Sequence, residues 1–136
     1  MKKHSLLLVL PALLAAVLFC SCAGAGDWAF TGLPGNYEIW RLNASEIALV
    51  ERTGDNIADS VVGPYVCAVA WNEDYILARQ KPERNSPEEE SVCYLVTVSS
   101  GTVDGPYTEA ELQVQLDRLH IPLTDGDWVD VLQLKP

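Results

Sequence analysis

Positive charge is scarce in this chain, with nine Lys and Arg against nineteen Asp and Glu and a formal net charge of −10. That balance argues against nucleic acid as a partner, because neutralising a phosphate backbone takes clustered cations. It argues equally against adhesion to anionic lipid by charge alone; acidity of this degree confers solubility and little else. Histidine is scarcer still. His120 is the only imidazole beyond the first 21 residues, so a Cys-His or Ser-His pair would have to use it. Neither G-x-S-x-G nor a cysteine-protease signature accompanies it, and a histidine just after a helix and close to Pro122 reads as a surface group. No catalytic residue is assigned.

Metal ligands are not clustered either. Zinc takes three or four His, Cys or acid ligands, and no compact group supplies them, so no metal and no cofactor are expected. The acids Asp125, Asp127 and Asp130 invite comparison with a calcium loop. With Asp125 at loop position 1, however, Asp130 stands where Gly is required and Pro136 where Glu is required. A looser acidic site there stays open beside the plainer reading of a turn. Glu88-Glu89-Glu90 reads as a solvated loop.

Long apolar runs occur in one place only. Lys2 and Lys3 precede L-L-L-V-L-P-A-L-L-A-A-V-L-F, which ends at Phe19. A charged start and an apolar middle make an export signal. The run falls short of the roughly 20 residues a membrane-spanning helix needs, and Pro11 interrupts it. The junction L-F-C-S-C resembles the lipobox of bacterial lipoproteins, in which a small residue precedes a cysteine that is diacylated and becomes the new N-terminus. Ser21 before Cys22 suits that cut, whereas bulky Phe19 precedes Cys20. Phe19 departs from the pattern, since Leu usually stands three places before the cysteine. Processing at Cys20, or a plain secretory cut near Ala23 to Ala25, remains open.

The expected organisation is therefore a signal peptide over 1–21, lipid attachment at Cys22, a flexible small-residue tether over 22–29 and one globular domain over 30–136. Burying acyl chains contributes about 0.8 kcal/mol per CH₂, and more than one chain holds a protein stably on a membrane without crossing it. Removing the leader leaves 115 residues with seven cations and nineteen acids, a charge of −12. That length suits a single core.

The rest of the chain reads as short strands broken by Gly, Pro, Asn and Asp. Strands are expected over 37–42 and 46–51, joined by Asn43-Ala44-Ser45, with residues 53 to 63 as a loop. The strongest signal is Y-V-C-A-V-A-W-N-E-D-Y-I-L-A-R-Q, Tyr65 to Gln80, a hairpin turning at Asn72-Glu73-Asp74. A third strand over Val92 to Val98 pairs with its second arm. S-S-G-T-V-D-G-P-Y reads as turns leading to a helix. Thr108 and Glu111 form a capping box, and Leu112, Leu116 and Leu119 recur at helical spacing. Trp128 to Leu134 alternates as a last strand. The expected fold class is α+β: an antiparallel sheet of about five to six strands with one helix in the C-terminal half packed on it.

That topology places the two remaining cysteines. If residue 71 faces residue 75, Cys67 faces Arg79, and Cys93 lies opposite Arg79 from the other side. The thiols are then two strand spacings apart, roughly 9.5 Å, beyond the roughly 7 Å that a bridge spans. Free buried cysteine is the favoured reading, with a disulfide kept open because an exported location permits one. The strand aromatics Trp40, Trp71, Tyr75 and Tyr94 read as core; exposed beside Arg41 or Arg79 they would form a recognition patch.

L-P-G-N-Y-E-I-W-R at Leu33 to Arg41, A-W-N-E-D-Y-I-L-A-R-Q at Ala70 to Gln80, C-Y-L-V at Cys93 to Val96 and G-P-Y-T-E-A-E-L at Gly105 to Leu112 together resemble a family of small bacterial lipoproteins and exported proteins without assigned activity. Leu112 stands where that family more often has Phe. The resemblance implies location and fold and names no site. G-P-Y-T-E-A-E-L also resembles a short piece of the peptide-binding GYF domains, whose aromatic motif is absent.

The functional expectation is a non-enzymatic binding or interaction domain held on the outer membrane or the outer face of the cytoplasmic membrane. Its partners would be the membrane, through the anchor, and an envelope protein or peptide. The alternatives are a hydrolase-like envelope enzyme and a small inhibitor or immunity-like protein. An enzyme should show a concave pocket with convergent polar groups and shifted pKa values; a binding module should show an exposed aromatic patch or an open sheet edge.

Overall fold

The computed structural model describes residues 27–136. The expected leader, Cys22 and tether residues 22–26 lie outside the described residues. Two antiparallel sheets and one helix make up the rest, an α+β fold as expected. The first sheet is a meander of β1 (Trp28–Phe30), β2 (Tyr37–Arg41), β3 (Ile47–Gly54) and β4 (Ile57–Val62), adjacent in that order. The second contains β5 (Val66–Trp71), β6 (Tyr75–Gln80), β7 (Val92–Thr97), β8 (Thr102–Tyr107) and the short β9 (Val129–Asp130), in the order β8-β7-β6-β5-β9. The helix α1 (Glu109–Arg118) follows β8. β1 begins at Trp28, within the segment read as tether.

Asparagine side chains close two of the hairpins. Asn43 Oδ1 accepts from the N–H groups of Ser45 at 2.8 Å and Glu46 at 3.0 Å, between β2 and β3. Asn72 Oδ1 accepts from those of Asp74 and Tyr75, both at 2.9 Å, between β5 and β6. These contacts mimic a backbone turn within a few residues, which is why both hairpins were legible. α1 carries the expected capping box: Thr108 Oγ1 accepts from the Glu111 N–H at 3.2 Å, and Glu111 Oε2 accepts from the Thr108 N–H at 2.8 Å. At the far end the Ile121 N–H reaches the Leu116 carbonyl at 2.9 Å and the His120 N–H reaches that of Asp117 at 3.2 Å. This is a Schellman ending, with His120 at φ 55° in the left-handed position that glycine favours.

Three local expectations are corrected. Residues 57 to 62, read as loop, form β4; its A-D-S centre lacks apolar alternation, and only pairing with β3 makes it a strand. Residues 102 to 107, read as turns, form β8, an edge strand where Pro106 costs no ladder bond on its open side. The expected strand over 128 to 134 shrinks to Val129–Asp130, because Asp130 Oδ1 accepts from the Leu132 N–H at 2.8 Å and turns the chain into a 3₁₀ segment.

The layers run four-stranded sheet, five-stranded sheet, helix. Between the sheets lies an apolar core that includes Ile39, Leu49, Val69, Ile76 and Val96. Between the second sheet and α1 lies another, with Leu77, Leu95, Leu112, Leu116 and Ile121. Leu119, expected in that stripe, is 41% exposed because the helix ends there.

Candidate functional site

At one end of the sandwich the β2–β3 turn, the start of β5, the β6–β7 loop and the C-terminal segment enclose a cavity of about 310 Å³. Its floor is apolar: Ile47, Val66 and Val131 are all buried. Its rim is cationic, with Arg41 at the end of β2, Lys81 just after β6 and Arg84 in the following loop. Among the described residues the ion pairs are made by Arg52 and Arg79, so these three cations have no carboxylate within ion-pair distance. Weak neutral contacts hold two of them: Arg84 Nη1 donates to Ser45 Oγ at 3.3 Å and Arg41 Nε to the Asn43 carbonyl at 3.4 Å. Asp130 is the one acid of the lining, and its Oδ1 is occupied by the Leu132 N–H. Leu132 itself stands at the rim, 66% exposed.

Tyr65 lines this cavity and also an adjoining one of about 290 Å³, and Lys81 is shared in the same way. Its backbone sits at φ 71°, a genuine outlier for a bulky side chain. The Tyr65 carbonyl accepts from the Lys81 N–H at 3.0 Å, and the Pro64 carbonyl accepts from Gln80 Nε2 at 2.8 Å. Strain of this kind, about 1–3 kcal/mol, persists where surrounding structure over-determines it and gathers at binding sites.

Cys67 also faces the cavity. β5 pairs Val66 with Gln80 and Ala68 with Arg79, so Cys67 is the extra residue of a bulge, and its Sγ donates to the Arg79 carbonyl at 3.5 Å. The sequence pattern places Cys67 opposite Arg79, where the structure has Ala68. The hairpin pairs Trp71 with Ile76 instead of Tyr75, and the bulge restores the shift by Val66. Cys93 does pair with Arg79, and both thiols are free. Burial pushes the Cys67 thiol up, with Lys81 and Arg79 pulling part of the way back. Burial likewise pushes Cys93 up, against Arg79 beside it. A thiol held protonated is not an activated nucleophile. His120 is exposed at the end of α1 and does not line the cavity.

Arg79 was a candidate for an exposed patch and is instead buried, on the helix-facing side of β6. Nη1 donates to Glu88 Oε1 at 2.7 Å, Nη2 pairs with Glu109 Oε1, and the guanidinium carbon lies 4.4 Å from the centroid of Trp128. Its Nε is buried without a hydrogen-bond partner. Glu88 is thus more than a solvated loop acid. It and Glu109 tie the β6–β7 loop and the first turn of α1 to the sheet. The aromatic patch does not form: Trp40 Nε1 donates to the buried Glu38 at 2.7 Å on the face opposite Arg41, while Trp71 and Tyr94 pack on one core and Tyr75 on the other.

The acids near residue 125 are taken up by turns. Asp127 Oδ2 accepts from the Thr124 N–H at 2.7 Å, and no group of three His, Cys, Asp or Glu among the described residues is placed to hold a metal ion. No described helix is long and apolar enough to cross a membrane. The convergence of Arg41, Lys81 and Arg84 escaped sequence reasoning; its only trace is that Arg41 and Lys81 both stand where a strand ends.

No curated protein and no solved structure matches the chain. A family model described as protein of unknown function (DUF3997) matches residues 34–124, taking in β2 to β8, α1 and Arg41, Lys81 and Arg84, though not β1, β9 or Asp130. On that match, which covers well over half of its length, the chain belongs to the DUF3997 family of proteins of unknown function.

Proposed function

We propose that this protein is a bacterial lipoprotein, held through Cys22 on the outer membrane or the outer face of the cytoplasmic membrane, whose domain binds an envelope protein, peptide or other component without altering it. The anchor is supported by the charged start, the short apolar run and the L-F-C-S-C junction. Binding is supported by one observation above all, the end cavity with its apolar floor and unpaired cations. Its size and mixed lining suit a small ligand or a side chain. Its thiol is pushed up by burial, which disfavours a nucleophilic thiolate, and its single carboxylate, Asp130, accepts the Leu132 N–H through Oδ1.

The intact mass of protein extracted from membranes tests the anchor. A mature chain starting at diacylated Cys22 is expected; an N-terminus at Ala25, or an unmodified Cys22, would sink it. Cys67 in the cavity is the observation that favours the rival hydrolase-like reading, and its reactivity separates the two. Iodoacetamide at pH 7 should alkylate Cys67 more slowly than free cysteine, whereas a nucleophile poised for catalysis would react much faster.

A further inference from the structure

The end cavity has a more specific chemistry than its concavity alone conveys. Three of the seven cations beyond residue 21 line it, in a stretch of chain that also carries nineteen acids. Among the described residues none of the three has a carboxylate within ion-pair distance; Arg118 and Lys135 are likewise unpaired, and what sets Arg41, Lys81 and Arg84 apart is that they share one cavity. Setting Asp130 against them leaves the lining with a surplus of two positive charges. Cations gathered at one cavity without counter-ions attract an anion to it, and the guanidiniums of Arg41 and Arg84 present forks that match a planar carboxylate.

The remaining walls decide which anion. Ile47, Val66 and Val131 offer a buried apolar floor, and Leu132 extends it at the rim. Bare phosphate has nothing to place there. We infer that the cavity binds a carboxylate carried on an apolar body, the carboxylate between Lys81 and Arg84 and the apolar group over Val66 and Val131. A free apolar acid and the C-terminal residue of a peptide share this chemistry. The assignment rests on the proposed binding role and names its ligand class.

Calorimetric titration of the full chain in detergent tests it with four probes: acetyl-Ala-Ala-Leu as the free acid, the same peptide as its amide, N-acetyl-leucine and inorganic phosphate. The acid should bind at least about tenfold more tightly than the amide, the scale of one hydrogen bond to a charged group. Its affinity should fall as salt is raised. Lys81→Gln and Arg84→Gln should each cost the acid several-fold while leaving the amide unchanged, and Lys81→Arg should retain binding. Because these side chains lie on the rim, thermal midpoints should stay at the wild-type value. If N-acetyl-leucine binds as tightly as the peptide acid, a free apolar acid is the source; if only the peptide acid binds, a peptide terminus is. Equal binding of acid and amide, binding of phosphate in preference to both, or no binding of any probe overturns the assignment, while the anchored binding role stands or falls on its own tests. Cleavage of the bound peptide would do the reverse, retaining the carboxylate site and ending the non-enzymatic reading.

Discussion

Toward β2 and β3 the five-stranded sheet presents a mainly apolar face, with Val69, Ile76, Ala78 and Val96 on it; toward α1 it sets Arg79 and Cys93 beside Leu77 and Leu95. The first face is held by area alone, and such contacts are non-directional. The second spends part of its area on a cation whose partners lie on other elements, and so gains direction. Arg79 reaches a loop through Glu88, a helix start through Glu109 and the C-terminal segment through Trp128. A stacked sheet needs only matching apolar faces, whereas a single short helix also needs a fixed angle and register.

The contrast is broken most strongly on the apolar face. Leu49 is fully buried there, and Leu49→Ala should cost about 3–4 kcal/mol, read as a lower urea midpoint at unchanged slope. On the other face Arg79→Ala should cost about 2 kcal/mol, mostly through its buried stem and the stack on Trp128. Its carboxylate partners are themselves 66% and 64% exposed, so each is discounted for solvent. Arg79→Met sharpens this division: keeping the volume and removing the charge should stay within about 1 kcal/mol of wild type. A large loss in Arg79→Met would show that the ion pairs, not the packing, hold the helix.

Smaller again is the helix ending. His120→Gly relieves a left-handed residue and should raise stability by about 1 kcal/mol. The smallest effect near neutrality is alkaline. Cys93 and Cys67 are held above their ordinary value of 9.0 by burial. The unfolded chain therefore ionises first, and the stability these thiols contribute is complete below about pH 9 and is lost as pH rises through the raised folded values. Unfolding followed from pH 8 to 11 should show that loss, and Cys93→Ala should flatten it. In the folded protein at pH 8 a thiol reagent should modify half-buried Cys67 well before fully buried Cys93.

Legibility followed the range of the interactions. Asn72 and the Thr108–Glu111 box act within three residues, so the central hairpin and α1 were readable. β4 and β8 were not, because polar edge strands have no alternation to show and exist by pairing with β3 and β7. The register of Cys67 turned on a bulge, which leaves no mark in composition. Arg79 looked like any strand cation until its burial on the helix side was known.

By itself the sequence determined the class of fold, the capped helix, the asparagine turns and the excess of acid. Each of these is set by composition or by contacts between near neighbours. Tertiary structure alone decided that the strands divide into two sheets, that Arg79 is enclosed, and that Arg41, Lys81 and Arg84 meet at one end of the sandwich. Those outcomes depend on which apolar faces stack, a choice made between segments far apart in the chain, and no local pattern records it.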